Sequence, residues 1–408
     1  MKHVLLVNTS CEPVVRLLEQ RTDVRLSVIT SRSYTRFYRQ DTDVVPVDDV
    51  EDLTQVRLAA LEIRRRNAFE HVVSPSELSL QAGGYLRSYF GLAGPGYEVS
   101  NAFSNKHVMK QWLRAAGLPV ARFRQVSRLA DVTDAAAELG WPVVVKPAIG
   151  GGAEDVFVVR DEPGLGRLAE SPTSASLRRS PYPILVEQFL DITEEFHCDG
   201  IVCDGEVRAA PVAKYFAPVL ASVGKVVGSY TLPDDEPDAM RIADIHEKVV
   251  KAFGLADGVT HLEVLKVGGD LVVGEVTHRP GGGGIPELLH HQFGVDIFEA
   301  LVNLSIGDGF PRTPPPAGDY LVQYMLPRPP GRVRSISSAA ELAALPGVER
   351  VDIRQQPGDE QHDVVHSATF AGVVLIRAET EAQARERIDL VGRTYRIDVT
   401  AGGDHESS

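Results

Sequence analysis

The first hundred residues alternate short apolar runs with amphipathic stretches: HVLLV, VRLSVIT, DVVPV and HVVS, with a helical period over Leu53–Arg66 ahead of the last. Such alternation predicts a small parallel sheet with helices on its faces. From Asn105, NKHVMKQWLRAAGLPV reads as a helix that ends at Gly117, with Pro119 as a stop signal. A strand follows at ARFRQV and a helix at Val132–Leu139, and WPVVVKPAIGGGAEDVFVV then reads as strand, glycine loop, strand. The span Asp161–Pro183 has no strong period and is expected to hold a short helix with loops. Strand character returns at Tyr182–Leu190, and FHCDGIVCDGEVRAAPVAKYF alternates as an antiparallel hairpin turning at Asp204-Gly205. Helices are predicted at Asp238–Phe253 and Ile285–Leu304, and the stiff segment PRTPPPAG from Pro311 marks a subdomain boundary. Beyond it lie strands near YLVQYML, RVRSI, VERVDIR and GVVLIRA, a helix near Glu381–Arg393, and a tail, AGGDHESS, expected to be disordered.

A chain of 408 residues exceeds one usual core, so several domains are expected, and 43% hydrophobic with 24% charged residues suits an ordinary globular protein. The formal net charge of −14 argues against nucleic acid or an anionic membrane as a partner, while leaving room for a local basic phosphate pocket. Three cysteines, Cys11, Cys198 and Cys203, form no disulfide or metal framework by spacing and fit a reduced cytoplasm. No apolar stretch reaches the length of a membrane span, and MKHVLLVNTS does not read as a targeting segment. The first turn, Asn8-Thr9-Ser10, lacks the glycine fingerprint of a dinucleotide site.

Chemistry concentrates in THLEVLKVGGDLVVGEVTHRPGGGG, Thr260–Gly284. If Gly268, Gly269 and Asp270 form the loop of a hairpin, Val267 pairs with Leu271, Leu265 with Val273 and Glu263 with Glu275. Like charges opposite each other in a sheet repel, so such a pair is expected where a cation offsets it or water screens it. Thr277 and Arg279 follow at the strand period and share that face. A two-residue loop, Gly268-Gly269, would instead shift the register by one and send the glutamates to opposite faces. Arg279 at a strand end can clamp a carboxylate or phosphate, with Gly281–Gly284 leaving room for the ligand.

Lys146 ends the apolar run WPVVVK, where an ammonium is costly unless it meets an anion; phosphate is the expected partner. The following Gly150, Gly151 and Gly152 let backbone N–H groups approach phosphate oxygens. Glu187, Gln188, Phe189 and Leu190 end a strand whose backbone groups can pair with the edge of a purine, and Glu195 can accept hydrogen bonds from a ribose. A surface turn with acidic residues is the plain alternative for this last group. Lys106, Lys214 and Lys225 carry no weight singly, and His290-His291 reads as helix surface and core boundary, since adjacent helical positions diverge.

The ordered set SELSLQAGGYLRSYFGLAGPG, NKHVMKQWLRAAGLPVARF, VVVKPAIGGGAEDV, VEQFLDITEEFHCDG and HLEVLKVGGDLVVGEVTHRPGGG resembles the ATP-grasp ligases, and among them the carboxylate–amine ligases typified by L-amino-acid (dipeptide) ligases, over about Val72–Val399. The resemblance implies a multidomain α/β and α+β chain. Its expected parts are an N-terminal parallel α/β domain (1–98), an ATP-grasp fold whose first subdomain carries the glycine flap (99–184) and whose second carries the metal and nucleotide site (185–310), and a closing C-terminal domain (311–408). It assigns Lys106 and Lys146 to ATP phosphates, Gly150–Gly152 to a flap, Glu187–Leu190 to the adenine hinge and Glu195 to ribose. Lys214 joins the nucleotide contacts, and the 214–228 region is expected to close the site with the flap. Glu263 and Glu275 are assigned to magnesium, with manganese as the alternative ion, and Arg279 to the acyl phosphate and substrate carboxylate. Two departures stand out: Thr277 occupies a position where many members carry Asn, and GGGAED lacks the usual Gly-Ser ending of the flap.

The implied reaction is ATP-dependent joining of a carboxylate to an amine, both small molecules, through an acyl phosphate with release of ADP and phosphate; a cytoplasmic enzyme, with a homodimer as an assembly to consider, is expected. Two rivals share the layout. A bicarbonate-using carboxylase of the biotin-dependent kind is disfavoured by RPGGGG, and a non-catalytic nucleotide-binding protein by the joint presence of Lys146, Glu263, Glu275 and Arg279.

Overall fold

The structure is a computed structural model that describes residues 1–222, 228–310, 320–361 and 369–400. The proline-rich connection, Lys225 and the C-terminal tail lie outside the described residues. Strands β1 (Lys2–Asn8), β2 (Val24–Ser31), β3 (Asp43–Val47) and β4 (His71–Val73) form a parallel sheet in the order β3-β2-β1-β4. The unbroken apolar run of β1 follows from burial on both faces. Val4 and Leu6 enter one core, shared with Ile285, Leu289 and Leu301, while Leu5 and Val7 enter another with Val56, Ala59 and Ile63 of the helix Leu53–Arg66. The first of these cores fastens the N-terminal sheet to the rest of the molecule.

A second sheet holds β5 (Phe123–Val126), β6 (Val143–Pro147), β7 (Phe157–Val159) and β8 (Ile184–Gln188), all antiparallel, in the order β5-β8-β6-β7. Between β7 and β8 the span expected to hold one short helix holds two, Glu162–Glu170 and Ala175–Arg179.

The largest sheet begins with β9 (Glu194–Cys203), β10 (Glu206–Ala209), β11 (Val212–Tyr215), β12 (Gly228–Thr231), β13 (Gly258–Val267) and β14 (Asp270–Thr277). The later strands are β15 (Tyr320–Pro327), β16 (Gly331–Ile336), β17 (Val348–Ile353), β18 (Glu360–Gln361), β19 (Phe370–Ala378) and β20 (Ile397–Thr400). Order in the large sheet is β14-β13-β9-β11-β12-β15-β19-β17, with β10 beside β9, whereas β16, β18 and β20 make a small sheet of their own. The sheet therefore continues from β12 into β15, across the proline-rich connection.

Register divides the side chains of this sheet between two faces. Glu195, His197 and Asp199 of β9 share one face with His261 and Glu263 of β13. The opposite face, with Phe196, Cys198, Leu262 and Val264, packs on the helix Pro237–Phe253. The helix expected over Ile285–Leu304 is two helices, Ile285–Phe293 and Ile297–Ser305. Gly294 turns left-handed (φ 68°) after the first, and the Asp296 carboxylate caps the second by accepting from the N–H groups of Phe298 and Glu299. Among the described residues no helix is long and apolar enough to cross a membrane.

Candidate active site

The hairpin β13–β14 reaches the expected pairing by a different route. Its turn has two residues, Gly268 (φ 57°) and Gly269 (φ 96°), and pairs Val267 with Asp270, Lys266 with Leu271, Leu265 with Val272 and Val264 with Val273. Left alone, that register would send the glutamates to opposite faces. A bulge at Gly274 inserts one residue, and Glu263 faces Glu275 after all. The bulge also turns the Gly274 carbonyl out of the ladder, where it accepts a hydrogen bond from Lys110 Nζ at 3.1 Å.

Cations answer these carboxylates. The helix Lys106–Ala115 starts at Asn105, whose side chain accepts from the N–H groups of His107 and Val108, and its i,i+4 pair Lys106 and Lys110 lies buried on one side. Lys106 Nζ stands 3.1 Å from Glu275 Oε1 and also donates to the Gly150 carbonyl. Glu187 lies between two lysines, Lys110 at 3.0 Å and Lys146 at 3.1 Å. Burial would push the Glu187 carboxyl up, but the two ammonium groups hold it down at about 2. Lys146 thus meets a glutamate within the protein, and the Glu187 carboxylate braces both lysines. The hinge is narrower than expected: Gln188 N–H donates to the Arg122 carbonyl and Phe189 N–H to that of Pro142.

Arg279 meets Glu77, which the sequence did not single out. Its Nε donates to Glu77 Oε2 at 2.8 Å, and Thr277 Oγ1 donates to the same oxygen at 3.3 Å. The other oxygen, Glu77 Oε1, is buried and takes no hydrogen bond. The glycine loop lies over this pair; a Cβ on Gly151 would come within 3.8 Å of both Arg279 Nη2 and Glu77 Cγ.

Residues 111–290 match the ATP-grasp domain family, and residues 323–400 match the L-amino acid ligase C-terminal domain 2. Over 407 residues the chain is 33% identical to an L-arginine-specific L-amino acid ligase of Bacillus subtilis, with 98% of each covered. The chain belongs to the L-amino acid ligases. A more distant relative of this ligase is dapdiamide A synthase of Enterobacter agglomerans, 24% identical with 72% of this chain and 71% of the other covered. Its fold matches the crystal structure of an L-amino acid ligase from Bacillus licheniformis with a TM-score of 0.77 at 18% identity, covering 98% and 99% of the two chains. A biotin carboxylase domain from Hydrogenobacter thermophilus shares the fold at a TM-score of 0.69 and 17% identity, covering 98% and 91%, and so does not by itself favour carboxylation. The ligase is an ATP-dependent enzyme that forms peptide bonds, in a family that works through acyl phosphates.

One expectation for the ligase is corrected: Lys214 pairs in register with Phe196, so it lies on the face away from Glu263, engaged with Glu194. The glycines after Arg279 divide: added Cβ atoms would come within 2.8 Å of Asp199 Oδ1 at Gly281 and 2.6 Å of Gln323 Oε1 at Gly284, whereas one at Gly282 would meet nothing within 4 Å. Glu195 does lie on the same face as Glu263, accepts from Val219 N–H at 2.8 Å, and is pushed up to about 8 by burial and by the nearby Glu263 charge. Opposed, partly open carboxylates at Glu263 and Glu275 form a hard-oxygen pair suited to magnesium.

Glu187 generates a stability prediction. Its folded value of about 2 lies below the ordinary 4.5, so its stabilisation is complete above about pH 4.5 and lost as pH falls through about 2. Glu187→Ala leaves Lys110 and Lys146 buried without their carboxylate and should cost about 3–5 kcal/mol in urea unfolding at pH 7. A loss below about 1 kcal/mol would show that this brace carries little.

Proposed function

We propose that the ligase activates the carboxylate of an L-amino acid, with Arg279 and Glu77 as the substrate-side pair and the two opposed glutamates as the metal-side pair. The observation that carries this reading is the buried Glu77 Oε1, which takes no hydrogen bond, beside Arg279. An anionic oxygen in that state calls for a cation, and an amino acid brings one, its α-ammonium, next to the carboxylate that Arg279 would engage. The curated Bacillus subtilis relative is named for L-arginine, which makes arginine the first carboxylate substrate to test.

Magnesium held by Glu263 and Glu275 would neutralise charge on the triphosphate. Lys106 and Lys146 bind phosphate oxygens, Gly150, Gly151 and Gly152 bring backbone N–H groups over them, Leu190 borders the adenine and Glu195 accepts from the ribose. The substrate carboxylate oxygen attacks the γ-phosphorus as the bond to ADP breaks. The amine of the second substrate then attacks the acyl carbon, the C–O bond to phosphate breaks, and the amine loses a proton. Arg279 stabilises negative charge on the transferring group, and the glycine loop, already resting on Arg279 and Glu77, excludes water that would hydrolyse the intermediate.

Turnover with ATP, arginine and a second amino acid should yield ADP, phosphate and a dipeptide by mass spectrometry. AMP with pyrophosphate would refute the phosphoryl-transfer mechanism. Arg279→Ala should lower kcat by about 10²–10³-fold while calorimetry finds ATP affinity nearly unchanged; loss of ATP binding with normal kcat at saturation would move Arg279 to the nucleotide site. Glu77→Gln should raise KM for the activated amino acid by about tenfold or more, leaving KM for ATP alone. Equal effects on both KM values would contradict the substrate-side role.

A further inference from the structure

Beside Glu263, on the same face of the large sheet, runs a chain of buried polar side chains drawn from four strands. Gln323 Nε2 donates to Ser229 Oγ at 3.2 Å, and Ser229 Oγ meets His197 Nε2 at 2.8 Å. His197 Nδ1 meets Asp199 Oδ2 at 2.5 Å, and Asp199 Oδ1 meets His261 Nδ1 at 2.8 Å. His261 Nε2 then stands 3.5 Å from Glu263 Oε1. Gln323, Ser229, His197, Asp199 and His261 are all buried.

Donor and acceptor roles follow from the ends of the chain. The Gln323 amide uses the Ser229 oxygen as acceptor, so the hydroxyl proton of Ser229 is directed at His197 Nε2. That leaves His197 Nδ1–H to donate to Asp199, whose second oxygen accepts Nδ1–H of His261. Orientation of the His261 ring is thereby fixed, and its far nitrogen is aimed at the carboxylate two residues along the strand. The ligand atoms of His197, Asp199 and His261 lie within 4.8 Å of one another, the spacing of a cation site, yet both Asp199 oxygens and both His197 nitrogens are engaged within the chain. A closed hydrogen-bonded set of this kind orients a neighbour.

The loop after Arg279 is fitted to it. A Cβ on Gly281 would lie 2.8 Å from Asp199 Oδ1 and 2.9 Å from His261 Nδ1. The run of glycines thus covers the Asp199–His261 contact and the Gln323 amide at close range.

We propose that Asp199 and His261 are positioning residues that hold Glu263 in its metal-binding orientation, and that the chain through His197 and Ser229 couples this orientation to Gln323 on β15. The inference rests on the reading of Glu263 as a magnesium ligand. Outer partners of this kind typically change metal affinity by about 10–100-fold.

The test reads Mn²⁺ binding to the enzyme–ADP complex by electron paramagnetic resonance, alongside the Mg²⁺ dependence of turnover. Asp199→Asn should weaken Mn²⁺ about tenfold. A second pair of variants removes dependence on that buried substitution folding. His261→Asn places its amide near the Nδ1 position, keeping the Asp199 contact and losing Glu263. His261→Gln reaches the Nε2 position and keeps the Glu263 contact. Mn²⁺ affinity should therefore fall about tenfold in His261→Asn and by a smaller factor in His261→Gln, which keeps the Glu263 contact without its Asp199 anchor. If Asp199→Asn and His261→Asn bind Mn²⁺ like the parent while Glu263→Gln does not, the positioning role is overturned and the metal reading stands. If Glu263→Gln itself leaves Mn²⁺ binding unchanged, the metal reading fails and the inference falls with it.

Discussion

Glu263 and Glu275 face each other across a single rung of an antiparallel pair, and like charges so placed repel. Much of the surrounding charge is arranged around that repulsion. Lys106 lies on Glu275, and His261 stands beside Glu263. Behind them Glu187 separates Lys110 from Lys146, so buried cations and anions alternate from one subdomain to the next. Because Lys106 and Lys110 come from one helix, Lys146 and Glu187 from β6 and β8 of the second sheet and Glu263 and Glu275 from the large sheet, the same ion pairs that balance the site also join three pieces of structure.

The Gly274 bulge is the local device on which the opposed pair depends. With a two-residue turn and no bulge, Glu275 would point to the face covered by the helix Pro237–Phe253. The extra residue restores the glutamate to the cleft and frees a carbonyl that gives the buried Lys110 a neutral acceptor besides Glu187. One irregularity serves both the carboxylate pair and the lysine behind it.

Much of the architecture was legible in the chain because burial on one or both faces writes itself into strand and helix periods. The helices Leu53–Arg66 and Val132–Leu139 have the expected ends, and the opposition of Glu263 and Glu275 was anticipated. The bulge was not, although Gly274, an isolated glycine within a strand, is the kind of position where bulges form; the expected register rested on loop length alone. Glu77 was missed because its partner, Arg279, lies about two hundred residues away and nothing local distinguishes it. Lys110 was missed for a similar reason: a lysine four residues into a helix reads as solvated until the sheet below it is known. Lys214 was misplaced because its face is fixed by pairing with Phe196, a long-range register with no trace in its own neighbourhood. Gly294 and Asp296, by contrast, form a stop and a cap that the sequence does carry, within a run apolar enough to hide them.

The pairing of β12 with β15 has a consequence for how such enzymes diversify. Residues 320–400 supply β15, β19 and β17, the far side of the same sheet that carries the paired glutamates, and Gly228, Ser229 and Tyr230 are matched rung by rung to Tyr324, Gln323 and Val322. A recombination that swapped this C-terminal portion between two relatives would have to preserve that ladder along with any pocket it imported. Without it the exchange would bare two sheet edges, each an invitation to pair with another chain. Lineages of this architecture are thus expected to change substrate by point substitution within the cleft more readily than by trading modules.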